Sequence, residues 1–246
     1  ARLVGSEMCI RDSSRSGPQF WHNKQLLRRS PQNTAKTQGN APMNRNTVTW
    51  LVIFGICLAW SAINPHDRIT WWLEVLPALI GLVLLVVTRK KFPLTTLLYV
   101  LILVHSVILM VGGHYTYAEV PLGDWLQSVT GSDRNNYDKL GHFAQGFVPA
   151  ILAREILIRL KVVNSRRWLI YIVLSIVLAF SAFYELLEWA AAVASAEGAE
   201  EFLGTQGYQW DTQSDMLWAL SGAVIALLTL SRTHDQQLSE IYEPER

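Results

Sequence analysis

Apolar residues in this chain come in runs long enough to cross a bilayer, separated by shorter polar stretches. A membrane-crossing helix needs about 20 predominantly apolar residues, within a range of roughly 17–25. Six runs meet that length and predict helices over about 48–64, 71–88, 94–113, 140–158, 168–193 and 214–231. The predicted fold class is therefore all-α, a polytopic membrane bundle of six transmembrane helices. The fourth run is the most polar, with His142, Gln145, Pro149, Arg154 and Glu155 inside it. The first follows Arg45 and has the build of a secretory apolar core, but the five runs behind it argue for a retained helix.

The bundle is expected over residues 43–232, with 233–246 as a short cytoplasmic tail. Residues 14–42 are polar and aperiodic and contain Pro18, Pro31 and Pro42, a composition that cannot bury a core. Residues 1–13, ARLVGSEMCIRDS, resemble a translated sequencing-adapter read. We expect 1–42 to be a disordered or artefactual extension and Met43 to be the true start.

Lysine and arginine set the expected direction, because they concentrate in cytoplasmic loops. Lys24, Arg28, Arg29, Lys36 and Arg45 precede the first run; Arg89, Lys90 and Lys91 follow the second; Arg159, Lys161, Arg166 and Arg167 follow the fourth. The other side carries Arg68, Arg134 and Lys139, together with Glu119, Asp124, Asp133, Glu197, Glu200 and Glu201. Both termini are then cytoplasmic, and the long loops at about 114–139 and 194–213 face outward.

Composition agrees: the chain is 50% hydrophobic and 17% charged, against about 25% charged in soluble domains, with a mean hydropathy of +0.20. A net charge of +1 gives no case for nucleic acid. The expected partners are the lipid bilayer and a lipid-linked substrate; nothing fixes an oligomeric state. Cys9 and Cys57 form neither a disulfide framework nor a metal knuckle, and Cys57 reads as a small core residue.

The chemistry concentrates in WLIYIVLSIVLAFSAFYELLEWAAAV, residues 168–193, which holds Glu185 and Glu188. Ionisable groups in hydrocarbon are expensive and mark bundle interiors or wet cavities. At 1.5 Å per residue, Glu185 lies about 26 Å beyond Trp168, in the outer third of its helix. Glu188 is one turn higher on the same side. Asp138, His142 and Gln145 share a face at the outer end of the fourth helix, and Asp211 and Asp215 open the sixth. His105 falls mid-membrane, while His114 and Glu74 lie toward the outer end.

Several of these have plainer readings. Asp138 and Asp215 could cap helix N-termini. Glu74 reads as solvated at the boundary, His105 as a hydrogen-bonded core histidine, and Arg154, Glu155 and Arg159 as a snorkelling surface group. Trp71, Trp72, Tyr117, Trp168 and Trp210 read as an interfacial belt. Glu185 and Glu188 resist such readings. They occupy the C-terminal part of their helix, where the dipole disfavours negative charge, and they repel each other. They call for His142, Lys139 or a divalent metal ion as partner. Glu185, Glu188, His142 and Asp138 are the candidate catalytic groups. Lys139, Gln145, Asp211, Asp215 and His105 are the candidate substrate-binding groups, and Glu185, Glu188 and His142 the candidate metal ligands.

Asp138-Lys139-Leu140-Gly141-His142-Phe143 resembles the DKxxHF opening of VanZ-like membrane proteins. FYELLEW (183–189) and DTQSDMLWALSGAVIA (211–226) are similar to that family's acidic helix and closing D-x3-D…G helix. Residues 43–231 as a whole resemble the uncharacterised bacterial inner-membrane family called YjdF. The VanZ-like family is associated with low-level glycopeptide resistance. This chain departs from its motifs at Leu186 and Leu187 and at Ala219, where a polar Asn is often found. The resemblance implies a fold and a site but no reaction. Three functions remain open: an enzyme acting on a lipid or lipid-linked envelope substrate; a small-molecule or proton-coupled transporter or flippase, with Pro77 and Pro149 as helix breaks; and a non-catalytic envelope accessory protein.

Overall fold

The computed structural model describes residues 45–194 and 206–242; the expectations for residues 1–42, Glu197, Glu200 and Glu201 lie outside them. Among the described residues the chain is all-helical. Its helices are α1 (Arg45–Ala62), α2 (Arg68–Thr88), α3 (Thr96–Tyr115), α4 (Pro121–Thr130), α5 (Tyr137–Arg159), α6 (Arg166–Ala194) and α7 (Asp211–Tyr242), with a 3₁₀ turn at Tyr117–Glu119. A helix stands on each of the six apolar runs. Four of them, α2, α3, α6 and α7, are long and apolar enough to cross a membrane.

Local chemistry sets several of the ends. Asp67 caps α2 by accepting from the backbone N–H of Ile69 at 2.6 Å, which satisfies a donor the helix cannot. Thr95 does the same for α3 at Leu98 N. Gly131, at φ +69°, closes α4 in the left-handed conformation that glycine adopts freely. Pro77 and Pro149 break nothing: α2 and α5 run through them.

Helix α5 is the axis of the bundle. Most of its residues are buried, though it is among the least apolar of the helices. The other long helices cover it, so its polar residues face protein. It packs against α3, α6 and most closely α7. A Cβ on Gly146 would overlap the backbone carbonyl of Ala219, and one on Gly222 would overlap the carbonyl of Phe143. Small residues at such crossings let helix backbones approach in a membrane. Ala219, Ala223 and Ala226 are fully buried along the same line of α7.

The structure corrects two expectations about loops and tails. The stretch between α3 and α5 is not all loop, since it contains the 3₁₀ turn and α4. Residues 233–242 are not a tail, since α7 continues through them for 32 residues in all. At 1.5 Å per residue that is about 48 Å, well beyond the ~30 Å of a hydrocarbon core.

Candidate functional site

Three helix segments converge at the end of the bundle where α5 and α7 begin. Asp138, His142 and Gln145 lie on α5 at i, i+4 and i+7. Asp211 and Asp215 lie on α7 at i and i+4, and Glu185 and Glu188 on α6 at i and i+3. Such spacings put side chains on one face of a helix. On α6 the choice of face is plain: Glu185 and Glu188 are each 9% exposed, while Leu186 and Leu187 between them are 60% and 50% exposed. The acids point into protein and the leucines outward.

Lys139 is buried and already paired. Its ammonium donates to Asp211 Oδ1 at 2.7 Å, to Asp215 Oδ1 and to Asp138 Oδ2 at 3.4 Å. Arg134 adds a second cation on Asp211 Oδ1 at 2.6 Å. Asp138 and Asp215 thus spend their oxygens on side chains; the N-cap of α5 is Asn136, which makes no side-chain cap. Lys139 does not reach Glu185, which was one of its expected partners; it belongs to the aspartates.

His142 links the two halves of the cluster. Its Nε2 lies 3.3 Å from Asp138 Oδ1 and 4.0 Å from Asp215 Oδ2. Its Nδ1 lies 3.0 Å from Gln145 Oε1 and 3.8 Å from Glu185 Oε1. That Glu185 oxygen is buried and has no hydrogen-bond partner, although Thr212 bonds the carboxylate. The ring of Tyr184 stands edge-on to His142 with centroids 6.4 Å apart. Donor atoms of His142, Glu185 and Glu188 all lie within 4.8 Å of one another, and so do those of Asp138, His142 and Asp215.

Glu74 on α2 also belongs here, against the expectation of a solvated boundary residue. It is buried, hydrogen-bonds the Tyr117 hydroxyl, and lies within electrostatic reach of Asp138 and His142. Gly112 and Gly141 leave room for the Tyr117 ring, which a Cβ on either would strike. Tyr117 is therefore an interior residue, not part of a belt; burial, with Glu74 beside it, pushes its hydroxyl well above the usual phenol range. Trp71 is interior too, donating to Ser61 Oγ at 3.1 Å. Trp72, Trp168 and Trp210 do face outward. Sequence reasoning missed Tyr184 and Arg134; Tyr184 adjoins Glu185, and that adjacency was the available signal. His105 on α3 makes none of the hydrogen bonds or ion pairs of this cluster, and its Nε2 has no hydrogen-bond partner.

A second polar cluster sits at the opposite end of α5. Arg154 and Glu155 are buried, which overturns their reading as a snorkelling group. Glu155 accepts from Thr95 N at 3.2 Å, Thr95 Oγ1 at 2.8 Å and Arg159 at 2.8 Å, and its Oε2 lies 3.0 Å from His234 Nε2. Arg154 donates to Asp235 at 2.5 Å and to His234 Nδ1 at 2.7 Å. That nitrogen must then be the acceptor, so Nε2 carries the proton given to Glu155. Gln237 accepts from Leu97 N at 2.9 Å. Every charge in this cluster is paired, and its work is to fasten the end of α7 to α3 and α5.

A family model described as "Predicted membrane protein (DUF2238)" matches residues 46–236. The chain is similar to the "Inner membrane protein YjdF" of Escherichia coli (strain K12), with 51% identity over 196 residues, covering 80% of this chain and 92% of that protein. This bears out the resemblance to the YjdF family drawn from residues 43–231. No solved structure matches.

Proposed function

The chain belongs to the DUF2238 family of predicted membrane proteins, and from that premise we propose a multi-pass protein of the bacterial inner membrane that acts on a lipid or lipid-linked envelope substrate. In this reading six helices span the membrane, with both termini cytoplasmic. The cluster on α5, α6 and α7 lies in the periplasmic leaflet. The alternation of lysine and arginine supports that direction, and the YjdF relative supports the inner membrane.

The observation that carries the reading is the buried, unpartnered Oε1 of Glu185 facing His142 Nδ1 at 3.8 Å. Leaving a buried polar group unsatisfied costs about 1–3 kcal/mol. Of the three such atoms among the described residues, this one alone is a carboxylate oxygen beside an imidazole, where a reacting group or an ion would account for it. Carboxylate and imidazole from separate helices, shielded from water, suit general acid–base work. The paired cluster around Glu155 supports an enzyme over a transporter. It closes the other end of α5 with satisfied ion pairs, whereas the carboxylate with an unpartnered oxygen lies at the end where α5 begins.

The test is the envelope lipid and lipid-linked intermediate profile of cells lacking the gene. Wild-type protein should restore the profile, while Glu185→Gln and His142→Ala, present at equal membrane levels, should not. Full restoration by both variants would remove the site from any function.

A further inference from the structure

Six carboxyls meet at this end of the bundle: Glu74, Asp138, Glu185, Glu188, Asp211 and Asp215. Among the described residues Lys139 and Arg134 answer them, and both pair with aspartates. The ion pairs of Lys139 fall on the aspartates, not on the glutamates of α6. Those glutamates have His142, which presents Nδ1 to Glu185 while its Nε2 rests 3.3 Å from Asp138 Oδ1. In this structure Nδ1 donates to Gln145 Oε1, an oxygen that can only accept; a metal that displaces that proton would find a lone pair on Nδ1, with Nε2–H on the Asp138 carboxylate fixing tautomer and tilt. That is the usual support for a metal-bound histidine.

Gln145 Oε1 faces the same Nδ1 at 3.0 Å. The pocket therefore holds one imidazole nitrogen, two carboxylates and a carbonyl oxygen, with one carboxylate oxygen lacking a partner inside the protein.

We propose that His142 Nδ1, Glu185 and Glu188 bind a divalent ion of the zinc class, that Asp138 is the positioning carboxylate behind His142, and that Gln145 borders the ion. The inference rests on the reading of this end as the functional site. The triad of Asp138, His142 and Asp215 is the poorer seat, because Lys139 already occupies its carboxylates. Mixed nitrogen and carboxylate donors suit Zn²⁺; Mg²⁺ keeps its waters and near-octahedral oxygen shells. Three protein ligands are the number a zinc site that does chemistry uses, where one that only holds a fold uses four.

The experiment is zinc binding to the full chain purified in detergent, by metal analysis after dialysis and by titration with ZnCl₂, with MgCl₂ as competitor. About one zinc per chain is expected, undisplaced by magnesium. Glu185→Gln and Glu188→Gln should each lose at least tenfold in affinity, and Asp138→Asn roughly 10–100-fold, as for removal of a ligand's supporting group. Asp215→Asn should still bind. Zinc uptake equal in wild type and both glutamate variants overturns the proposal, as does loss of binding in Asp215→Asn with retention in Glu185→Gln. Should the variants fail to fold, the wild type decides alone: zinc must raise its melting temperature, and no rise overturns the site. A lipid profile that depends on Glu185 in a chain that takes up no zinc would sink the metal and leave the proposed function standing. Bound zinc with an unchanged lipid profile would do the reverse.

Discussion

Lys139 illustrates how one side chain holds several. It is buried among Asp138, Asp211 and Asp215. Removing one member of a buried ion pair leaves an uncompensated charge, at a cost of about 3–5 kcal/mol. Lys139→Met should lower stability by that order in detergent unfolding; adding Asp215→Asn should recover part of it. A Lys139→Met protein as stable as wild type would mean the aspartates are solvated. The acid pair of α6 was legible in the sequence because apolar neighbours left it nowhere to go but inward. Glu74, Trp71 and Tyr117 were not. Each lies near a span end, where the same residue type serves a wet boundary or a protein interior, and only the packing of α2 and α3 around the 3₁₀ turn decides. Arg154 and Glu155 were misread for a related reason: their partners His234 and Asp235 lie about 80 positions on, in a stretch taken for a tail.

The contact between α5 and α7 is what assembles the cluster. Backbone meets backbone at Gly146 and Gly222, which brings Asp211 and Asp215 down to Lys139. Gly146→Val and Gly222→Val should each push the helices apart, lowering both the melting temperature and the yield of monodisperse protein. Wild-type behaviour in both would mean the two helices are not in contact there. At the far end, stopping the chain after Arg232 would remove His234, Asp235 and Gln237 and strand Glu155 and Arg154. Unfolding should then occur well below the wild-type temperature, and an unchanged transition would show the extension to be dispensable. Six of the seven helices among the described residues followed from apolar run length. α4 did not, because ten residues in a polar loop carry no membrane signal. The extension of α7 was missed because THDQQLSE lowers hydropathy. His234 and Leu238, four apart and both fully buried, were the helical signal left unread.

For the molecule as a whole, the bundle turns a polar helix inward and closes it with more apolar ones. On the proposed six-span reading, burial of α5 lets a segment with His142, Gln145, Arg154 and Glu155 cross the membrane: its charges find partners in protein rather than lipid. Direction is a separate matter, resting on the charge alternation. In intact cells of a chain otherwise free of cysteine, Ser128→Cys on α4 should react with an impermeant thiol reagent. Lys90→Cys, beyond α2, should react only after permeabilisation. The opposite result would invert the bundle and put the cluster on the cytoplasmic side. The same cysteine-free chain allows the meeting of α5 and α6 to be seen in native membranes. A short bifunctional thiol reagent, long enough to replace the two side chains whose tips lie 3.8 Å apart, should cross-link His142→Cys with Glu185→Cys, whereas His142→Cys with Leu187→Cys, whose side chain points outward, should not cross-link. Cross-linking through position 187 with none through 185 would turn the α6 carboxylates toward lipid, and there would be no pocket for substrate or metal.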